Sequence, residues 1–259
     1  MVRAMDTRRG IFGEFLLATA VLTRLPMGLD PPGESEGEGA VAAACWAFPL
    51  VGAGIGFIAG GVFFAAQAAG LGSAAPALLA VLAGVLITGA LHEDGLSDTA
   101  DGLGGGADRE RKLAIMRDSR CGTYGVVALV FGIGLRAAAL ATIGDPIHAG
   151  LALVAAHAAS RGFLGPAMRL LAPARADGLG AAAGRPGLVA ALVGLLLGAL
   201  IALGCLGPIS GLVALGLAAA AIAVTAALAQ RQIGGYTGDV LGAFQQIGEI
   251  VMLLVASAS

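Results

Sequence analysis

The stretch LVAALVGLLLGALIALGCL, residues 188–206, contains no charged side chain. A helix of about 20 apolar residues is long enough to cross the hydrocarbon layer of a bilayer. The whole chain of 259 residues shares this character, because 58% of its residues are hydrophobic and only 12% are charged. A soluble globular domain carries about 25% charged residues. The composition therefore predicts an integral membrane protein, and the lack of a basic stretch argues against a nucleic-acid partner.

Apolar segments recur along the chain and predict its architecture. Most are long enough to span a bilayer, and the 43 glycines would let helices in lipid pack closely. We predict an all-α fold, a polytopic transmembrane helical bundle of about seven spans that forms one domain over residues 1–259. The seven segments are 40–70, 75–91, 123–143, 147–172, 188–206, 209–229 and 240–257.

The N-terminal region is predicted to lie outside these spans. The apolar run Ile11–Leu22 is too short to cross a bilayer, and Glu14 interrupts it. We therefore expect an interfacial or re-entrant helix there. The acidic stretch 28–39 that follows is predicted to be a solvated connector, with Glu38 at the edge of the first span as the residue to watch.

Loop charges predict the orientation of the bundle. Lys and Arg residues occur in alternate loops, and basic loops favour the cytoplasmic side of a membrane. We therefore expect the acidic segment 92–121 to lie at the cytoplasmic face. The basic regions are the N-terminus, 92–121, 169–186 and 230–239, and the loops near 71–74, 144–147 and 207–208 contain neither residue.

Three aspartates in the acidic segment have a helical spacing. Asp94 and Asp98 are four residues apart, and Asp101 follows three residues later. On a helix all three would share one face, where like charges repel and a cation would offset the repulsion. Carboxylate oxygens select hard cations such as Mg²⁺, which binds one or two carboxylates together with substrate phosphates. The spacing therefore predicts a metal–phosphate site, and the alternative is a solvated acidic linker.

Glycines and an arginine follow these acids. The run 102–106 is Gly-Leu-Gly-Gly-Gly, and glycines let backbone N–H groups approach a phosphate. The alternative is a flexible turn. Arg120 begins the next span, and its planar guanidinium suits contact with a pyrophosphate.

Several polar residues lie within the predicted spans. Arg136 and Arg161 are expected to contact an anion or to pair with Glu249, because buried charges in lipid need a partner. Asp239 and Gln246 are spaced to face the bundle interior with Glu249, which would extend the acidic site. The alternative for Asp239 is helix capping.

These residues together resemble the cobalamin synthase family, the adenosylcobinamide-GDP ribazoletransferases. The resemblance extends over nearly the whole chain, and its most specific part is the acidic segment. Family members often carry Leu where Glu93 stands, so Glu93 is not assigned as a ligand. The matching motifs are TRLP at 23–26, FPLVG at 48–52, HEDGLSDTADG at 92–102, MRDSR at 116–120, GTYG at 122–125 and GGYTGD at 234–239.

The resemblance implies a Mg²⁺-dependent transfer at the cytoplasmic face of a bacterial or archaeal inner membrane. The expected substrates are adenosylcobinamide-GDP and α-ribazole or its 5′-phosphate, and GMP would leave. The implied catalytic residues are Asp94, Asp98, Asp101 and Arg120, and the three aspartates are also the implied metal ligands. Either Asp98 or Asp101 could take the proton of the attacking hydroxyl. The implied substrate-binding residues are Gly102, Gly105, Arg117, Ser119, Arg161, Asp239 and Gln246.

Two other functions share some of these features. A CDP-alcohol phosphotransferase also carries spaced acids, and Asp98-x-x-Asp101-Gly102 fits the start of its motif, but the following Ala-Arg pair is absent. A transporter would place its site near the bilayer midplane, often between repeated halves, and no repeat is visible. Small-residue helix faces permit self-association without proving it, so a homo-oligomer stays an open alternative.

Overall fold

A computed structural model describes residues 10–27 and 39–259, and their architecture is helical. The predicted acidic connector, including Glu38, lies outside the described residues except for Gly39. The helices are α1 Ile11–Leu22, α2 Ala40–Ala44, α3 Phe48–Ala68, α4 Ala74–Thr88, α5 Leu91–Gly105, α6 Arg109–Ile115, α7 Thr123–Ile143, α8 Pro146–Gly162, α9 Leu164–Leu170, α10 Leu179–Ala182, α11 Leu188–Leu206, α12 Pro208–Ile233 and α13 Gly238–Ser257.

The helices confirm a multi-pass membrane fold, but they do not confirm the count of seven spans. Five helices in the described part of the chain are long and apolar enough to cross a membrane, or six if α4 and α5 together form one broken span. α8 has 17 residues, which rise about 25 Å and fall short of the roughly 30 Å hydrocarbon layer. The five helices are Ala40–Ala68, with its short break before Phe48, and α7, α11, α12 and α13.

The bend between α4 and α5 sets the position of the acidic segment. The two helices meet at 91°. Gly89 and Ala90 join them with positive φ angles of 64° and 59°, and a positive φ is a strained conformation for alanine. The segment predicted as one span at 75–91 is therefore a 15-residue helix that ends before the acids begin.

The central helix of the bundle is α8, most of whose side chains are buried. It crosses α3 at three glycines spaced by four residues, Gly52, Gly56 and Gly60. A Cβ on Gly56 would lie 2.5 Å from the Leu153 carbonyl oxygen, and one on Gly60 would lie 2.8 Å from the Gly150 Cα. Small residues at this spacing bring helix backbones together in lipid, where packing rather than water exclusion holds helices.

Large apolar side chains cover the outside of the bundle. Examples are Phe57, Leu200, Ile209 and Val224, each more than 60% exposed. A soluble monomer rarely exposes apolar surface on this scale, so a lipid environment accounts for it. The N-terminal helix α1 has 12 residues, too few to span. It buries Leu17 and Leu22 against the bundle and leaves Ile11 and Phe12 exposed, as expected for a non-spanning helix.

Candidate active site

The acidic helix α5 lies against the start of α13 because both helices carry a glycine at the crossing. A Cβ on Gly95 would lie 2.7 Å from the Asp239 carbonyl oxygen, and one on Gly242 would lie 3.2 Å from the Gly95 Cα. Larger residues at either position would push the helices apart. The two glycines therefore bring the side chains of Asp94 and Asp239, which are distant in sequence, to one place.

A cleft of about 400 Å³ opens beside this crossing. Its walls come from α1, α2, α3, α5, α9, α13 and the segment that joins α9 to α11, and they are mainly apolar. Four polar side chains also line it, those of His92, Asp94, Arg175 and Asp239. An apolar pocket of this size with a few convergent polar groups is typical of a small-molecule site.

Asp98 lies one turn beyond Asp94 and is half-buried. Its carboxylate is close enough to those of Asp94 and Asp239 for the three to repel one another. Asp239 does not cap α13, because the Thr237 hydroxyl accepts the Val240 N–H in that role. The structure thus places Asp98 near Asp94 and Asp239, whereas the predicted metal face was Asp94, Asp98 and Asp101.

Asp101 points elsewhere, although it shares the acidic helix. Its carboxylate is buried and accepts the N–H groups of Gly122, at 2.7 Å, and Gly125, at 2.9 Å. These amides belong to the first turn of α7, whose N–H groups lack partners within their own helix. Asp101 therefore caps α7 and ties it to α5, a role that the spacing did not indicate.

The donor set of the cleft suits Mg²⁺ only in part. In residues 10–27 and 39–259, no group of three or more His, Cys, Asp or Glu side chains could hold a metal ion. Mg²⁺ is usually bound by one or two carboxylates, with waters and substrate phosphates completing its shell. Asp94 and Asp239 match that smaller set, so the residues fit a metal held jointly with a phosphorylated substrate.

The glycine run differs from the predicted phosphate loop. Gly102 and Gly105 belong to the last turns of α5 rather than to a loop. A Cβ on Gly102 would lie 2.5 Å from the Met116 Cγ, and one on Gly104 would lie 2.9 Å from the Tyr124 ring. The glycines therefore make room for neighbouring side chains against α5.

The basic residues after α6 do not line the cleft. The side chain of Arg120 is 87% exposed and pairs with Asp118 at 2.6 Å, and Ser119 between them is also exposed. This contact lowers the pKa of Asp118 to about 2, chiefly through the Arg120 side-chain hydrogen bond. Arg117 donates to both carboxylate oxygens of Asp177, at 2.7 and 2.8 Å. The structure thus gives the two arginines carboxylate partners outside the cleft.

Residues 171–187, here called the strap, form one wall of the cleft. Backbone hydrogen bonds join it to the chain before α13: Ala174 N–H donates to the Tyr236 oxygen at 2.7 Å, and Tyr236 N–H donates to the Ala172 oxygen at 2.9 Å. Arg109 donates to the carbonyls of Ala174 and Ile233. These contacts place Arg175 in the cleft wall, a residue for which the sequence carries no motif.

Other intramembrane charges form a separate group, here called the interior cluster. Arg136 joins Glu93 on α5, at 3.0 Å, to Glu249 on α13, at 2.9 Å. Glu249 also lies 3.1 Å from His157 and 4.0 Å from Arg161. All five side chains are buried. The expected pairing of Arg136 and Arg161 with Glu249 is confirmed.

Two predicted substrate-binding residues lie in this interior cluster rather than in the cleft wall. Gln246 is 2% exposed and donates to Glu93 at 3.1 Å. Arg161 is 1% exposed and donates to the backbone oxygen of His157 at 3.1 Å. Both helical spacings correctly indicated an inward-facing side chain. The structure shows these two side chains among protein groups of the interior cluster, although the Arg161 Nε has no hydrogen-bond partner among the described residues.

Comparison with known proteins decides the family. A family model described as cobalamin-5-phosphate synthase matches residues 14–257. The chain belongs to this family. The match covers the cleft, the strap and the interior cluster, and it confirms the resemblance carried by the motifs.

Individual relatives in this synthase family are similar over their whole length. A protein of Bradyrhizobium diazoefficiens is 49% identical over 100% of this chain and 98% of its own, and one of Mesorhizobium japonicum is 50% identical over 97% and 95%. A third, from Rhizobium johnstonii, is 42% identical over 96% and 95%. All three are named adenosylcobinamide-GDP ribazoletransferase. No solved structure matches the chain.

Proposed function

We propose that this membrane protein transfers the cobinamide phosphate of adenosylcobinamide-GDP to α-ribazole or its 5′-phosphate. The products are adenosylcobalamin, or its phosphate, and GMP. Membership of the synthase family carries the proposal, since relatives about half identical bear the name of this transferase. The cleft supports it, because carboxylates from α5 and α13 meet there with an arginine beside an apolar wall.

The reaction exchanges a phosphoanhydride linkage for a phosphodiester linkage. A hydroxyl of α-ribazole attacks the phosphorus on the cobinamide side of the pyrophosphate, and a new P–O bond forms. The P–O bond to the GMP phosphate breaks, so GMP leaves with that oxygen. The hydroxyl proton passes to a base of the protein.

The two candidate bases, Asp98 and Asp101, differ in the surroundings of their carboxylates. Asp101 has both carboxylate oxygens hydrogen-bonded to backbone N–H groups at the start of α7, so they already have protein partners. Asp98 is half-buried with like charges nearby, conditions that favour taking up a proton. We therefore assign the base to Asp98, which lies on α5 one turn beyond Asp94, a residue of the cleft wall.

We further propose that Asp94 and Asp239 hold Mg²⁺ together with the phosphates of the substrate. A metal held there would supply positive charge that balances the charge of the pyrophosphate oxygens. The two carboxylates would hold the metal at a defined position, because α5 and α13 are fixed to one another at Gly95 and Gly242. The apolar wall excludes water, which would otherwise compete with the acceptor hydroxyl.

The decisive assay uses the purified protein in lipid nanodiscs with adenosylcobinamide-GDP, α-ribazole and MgCl₂. We expect GMP and a corrinoid product in equal amounts, and loss of both when EDTA removes the divalent cation. Release of CMP from a CDP-lipid, with no GMP, would instead identify a CDP-alcohol phosphotransferase. Uptake of adenosylcobinamide-GDP into proteoliposomes without turnover would identify a transporter.

We also propose that the cleft faces the cytoplasm of the cell that makes the protein. Cys121, which is exposed near the start of α7, can report this with a membrane-impermeant maleimide in a Cys205→Ala background. We expect labelling in inside-out vesicles and not in intact spheroplasts. An Asp145→Cys, Cys121→Ala variant, which moves the thiol to the other end of α7, should label in spheroplasts. The reverse pattern would overturn the orientation.

A further inference from the structure

Arg175 has an unusual environment for a charged side chain. Only 16% of it is exposed, and it lines the cleft opposite the acidic helix. Its Nη1 is buried and has no hydrogen-bond partner among the described residues. Its Nη2 lies 3.6 Å from the Asp239 carboxylate, beyond hydrogen-bonding distance.

The backbone around Arg175 is fixed. Ala174, the preceding residue, donates to Tyr236 and accepts from Arg109. Asp177, two residues later, pairs with Arg117. The backbone of the strap is therefore held on both sides of Arg175, so a ligand that binds there need not order the strap.

The other arginines near the acidic segment have hydrogen-bond partners, whereas Arg175 has only longer contacts, at 3.6 Å to Asp239 and 3.8 Å to Asp177. Arg117 and Arg120 are each satisfied by a carboxylate outside the cleft, and Arg109 donates to backbone carbonyls. A buried guanidinium N–H without an acceptor is costly, so a bound acceptor would stabilise it. Phosphate oxygens match the planar fork of a guanidinium, and they would also lie beside the carboxylates assigned to Mg²⁺.

We propose that Arg175 binds the pyrophosphate of the nucleotide-bearing substrate from the strap side of the cleft. This inference rests on the proposed function and adds a residue to it. One face of the pyrophosphate meets the carboxylate side of α5 and α13, and the other meets the guanidinium. Arg175 takes the role that the sequence assigned to Arg120.

The alternative role for Arg175 is to neutralise Asp239 and hold the strap, with no contact to substrate. The two roles differ in which ligand the residue affects. A phosphate-binding arginine matters for adenosylcobinamide-GDP and not for adenosylcobinamide, which lacks the pyrophosphate. A residue that only holds the strap would affect both ligands alike.

The test measures binding and turnover by Arg175→Ala, Arg175→Lys and the control Arg185→Ala in nanodiscs. Arg185 lies on the same strap and is exposed, and its side chain donates to the Arg169 carbonyl oxygen, its one hydrogen bond among the described residues. For Arg175→Ala we expect on the order of 100-fold lower kcat/KM, in line with the loss of a charged donor at a reacting phosphate. Arg175→Lys should recover part of it, since it keeps the charge and loses the fork. Arg185→Ala should match wild type.

Equilibrium dialysis separates the possible failures. Affinity for adenosylcobinamide-GDP should fall at least tenfold in Arg175→Ala, while affinity for adenosylcobinamide stays within twofold of wild type. Equal loss for both ligands, or no loss for either, overturns the role of Arg175. If the wild type binds adenosylcobinamide-GDP but releases no GMP, the proposed function fails and the dialysis still decides Arg175. No binding by the wild type overturns both.

Discussion

The interior cluster and the cleft contain the same kinds of side chain, but they differ in how fully each charge is partnered. Arg136 contacts two glutamates, and Glu249 is approached by two arginines and a histidine. In the cleft, Asp94 has no ion-pair partner among the described residues, and Arg175 approaches Asp239 only loosely. Neighbours in sequence separate here, because Glu93 belongs to the cluster and Asp94 to the cleft.

This difference in pairing assigns a structural role to the charges of the interior cluster and a chemical role to those of the cleft. A buried charge that is paired with protein charges is held in place by them, and removing one partner leaves the other uncompensated. A charge without a protein partner is available to a cation or a phosphate. The comparison predicts that substitutions in the cleft remove activity and leave the fold, while substitutions in the cluster remove the fold.

The largest effect is expected from Asp94→Asn, which keeps the shape of a cleft side chain and removes its charge. Activity should fall on the order of 100- to 1000-fold, because a metal-binding carboxylate at the reacting phosphate is lost. The GMP-release assay measures this, and the thermal unfolding midpoint in detergent should match wild type. Asp108→Asn, outside the cleft on the exposed start of α6, serves as control. Near-normal activity of Asp94→Asn would remove the acidic helix from the mechanism.

Arg136→Leu is expected to have the next largest effect, on stability. It leaves Glu93 and Glu249 buried without their shared cation, at a cost of about 3–5 kcal/mol. Reversible unfolding in mixed micelles measures the change, and the fraction eluting as folded protein checks it. Arg120→Leu, the same substitution at an exposed ion pair, should unfold like wild type. A stable Arg136→Leu variant that has lost only activity would contradict the separation of the two regions.

The sequence predicted features that depend on residues close together in the chain, and it did not predict features that depend on backbone angles or on contacts between distant segments. Composition alone was enough for the helical membrane class, and the four-residue spacing was enough to put Asp94 and Asp98 on one side of α5. The 91° bend before α5 was not predictable from apolar lengths, because it depends on the backbone angles at Gly89 and Ala90.

Contacts between distant segments account for most of the remaining differences. Arg175 reaches the cleft only because Tyr236 and Arg109 hold the strap, and no pattern near residue 175 encodes that. Asp101 meets the start of α7, 21 residues later, so its capping role was hidden behind the regular spacing of the acids. Arg120 was assigned to a pyrophosphate, whereas in the structure its neighbour Asp118 is its partner.

Asp101→Asn tests whether Asp101 caps α7 or binds a metal ion. The amide keeps one acceptor oxygen, so one of the two charge-assisted bonds to the start of α7 is lost, at about 2 kcal/mol. We expect a lower unfolding midpoint and a smaller loss of activity than in Asp94→Asn. If Asp101→Asn unfolds like wild type and its Mg²⁺ requirement rises as much as that of Asp94→Asn, Asp101 is a metal ligand, as the spacing predicted.

The smallest effect is expected from Arg117→Ala, which tests whether this arginine acts on the strap or on the substrate. Its partner Asp177 is exposed, and exposed ion pairs contribute little. A looser strap should raise KM for adenosylcobinamide-GDP about two- to fivefold with kcat unchanged. Asp177→Ala should raise KM at least as much, because it removes the same ion pair and also the 3.8 Å contact with Arg175. The double variant should match Asp177→Ala, because Arg117 then has no partner left to lose. A further loss when Arg117→Ala is added to Asp177→Ala would show that Arg117 touches the substrate.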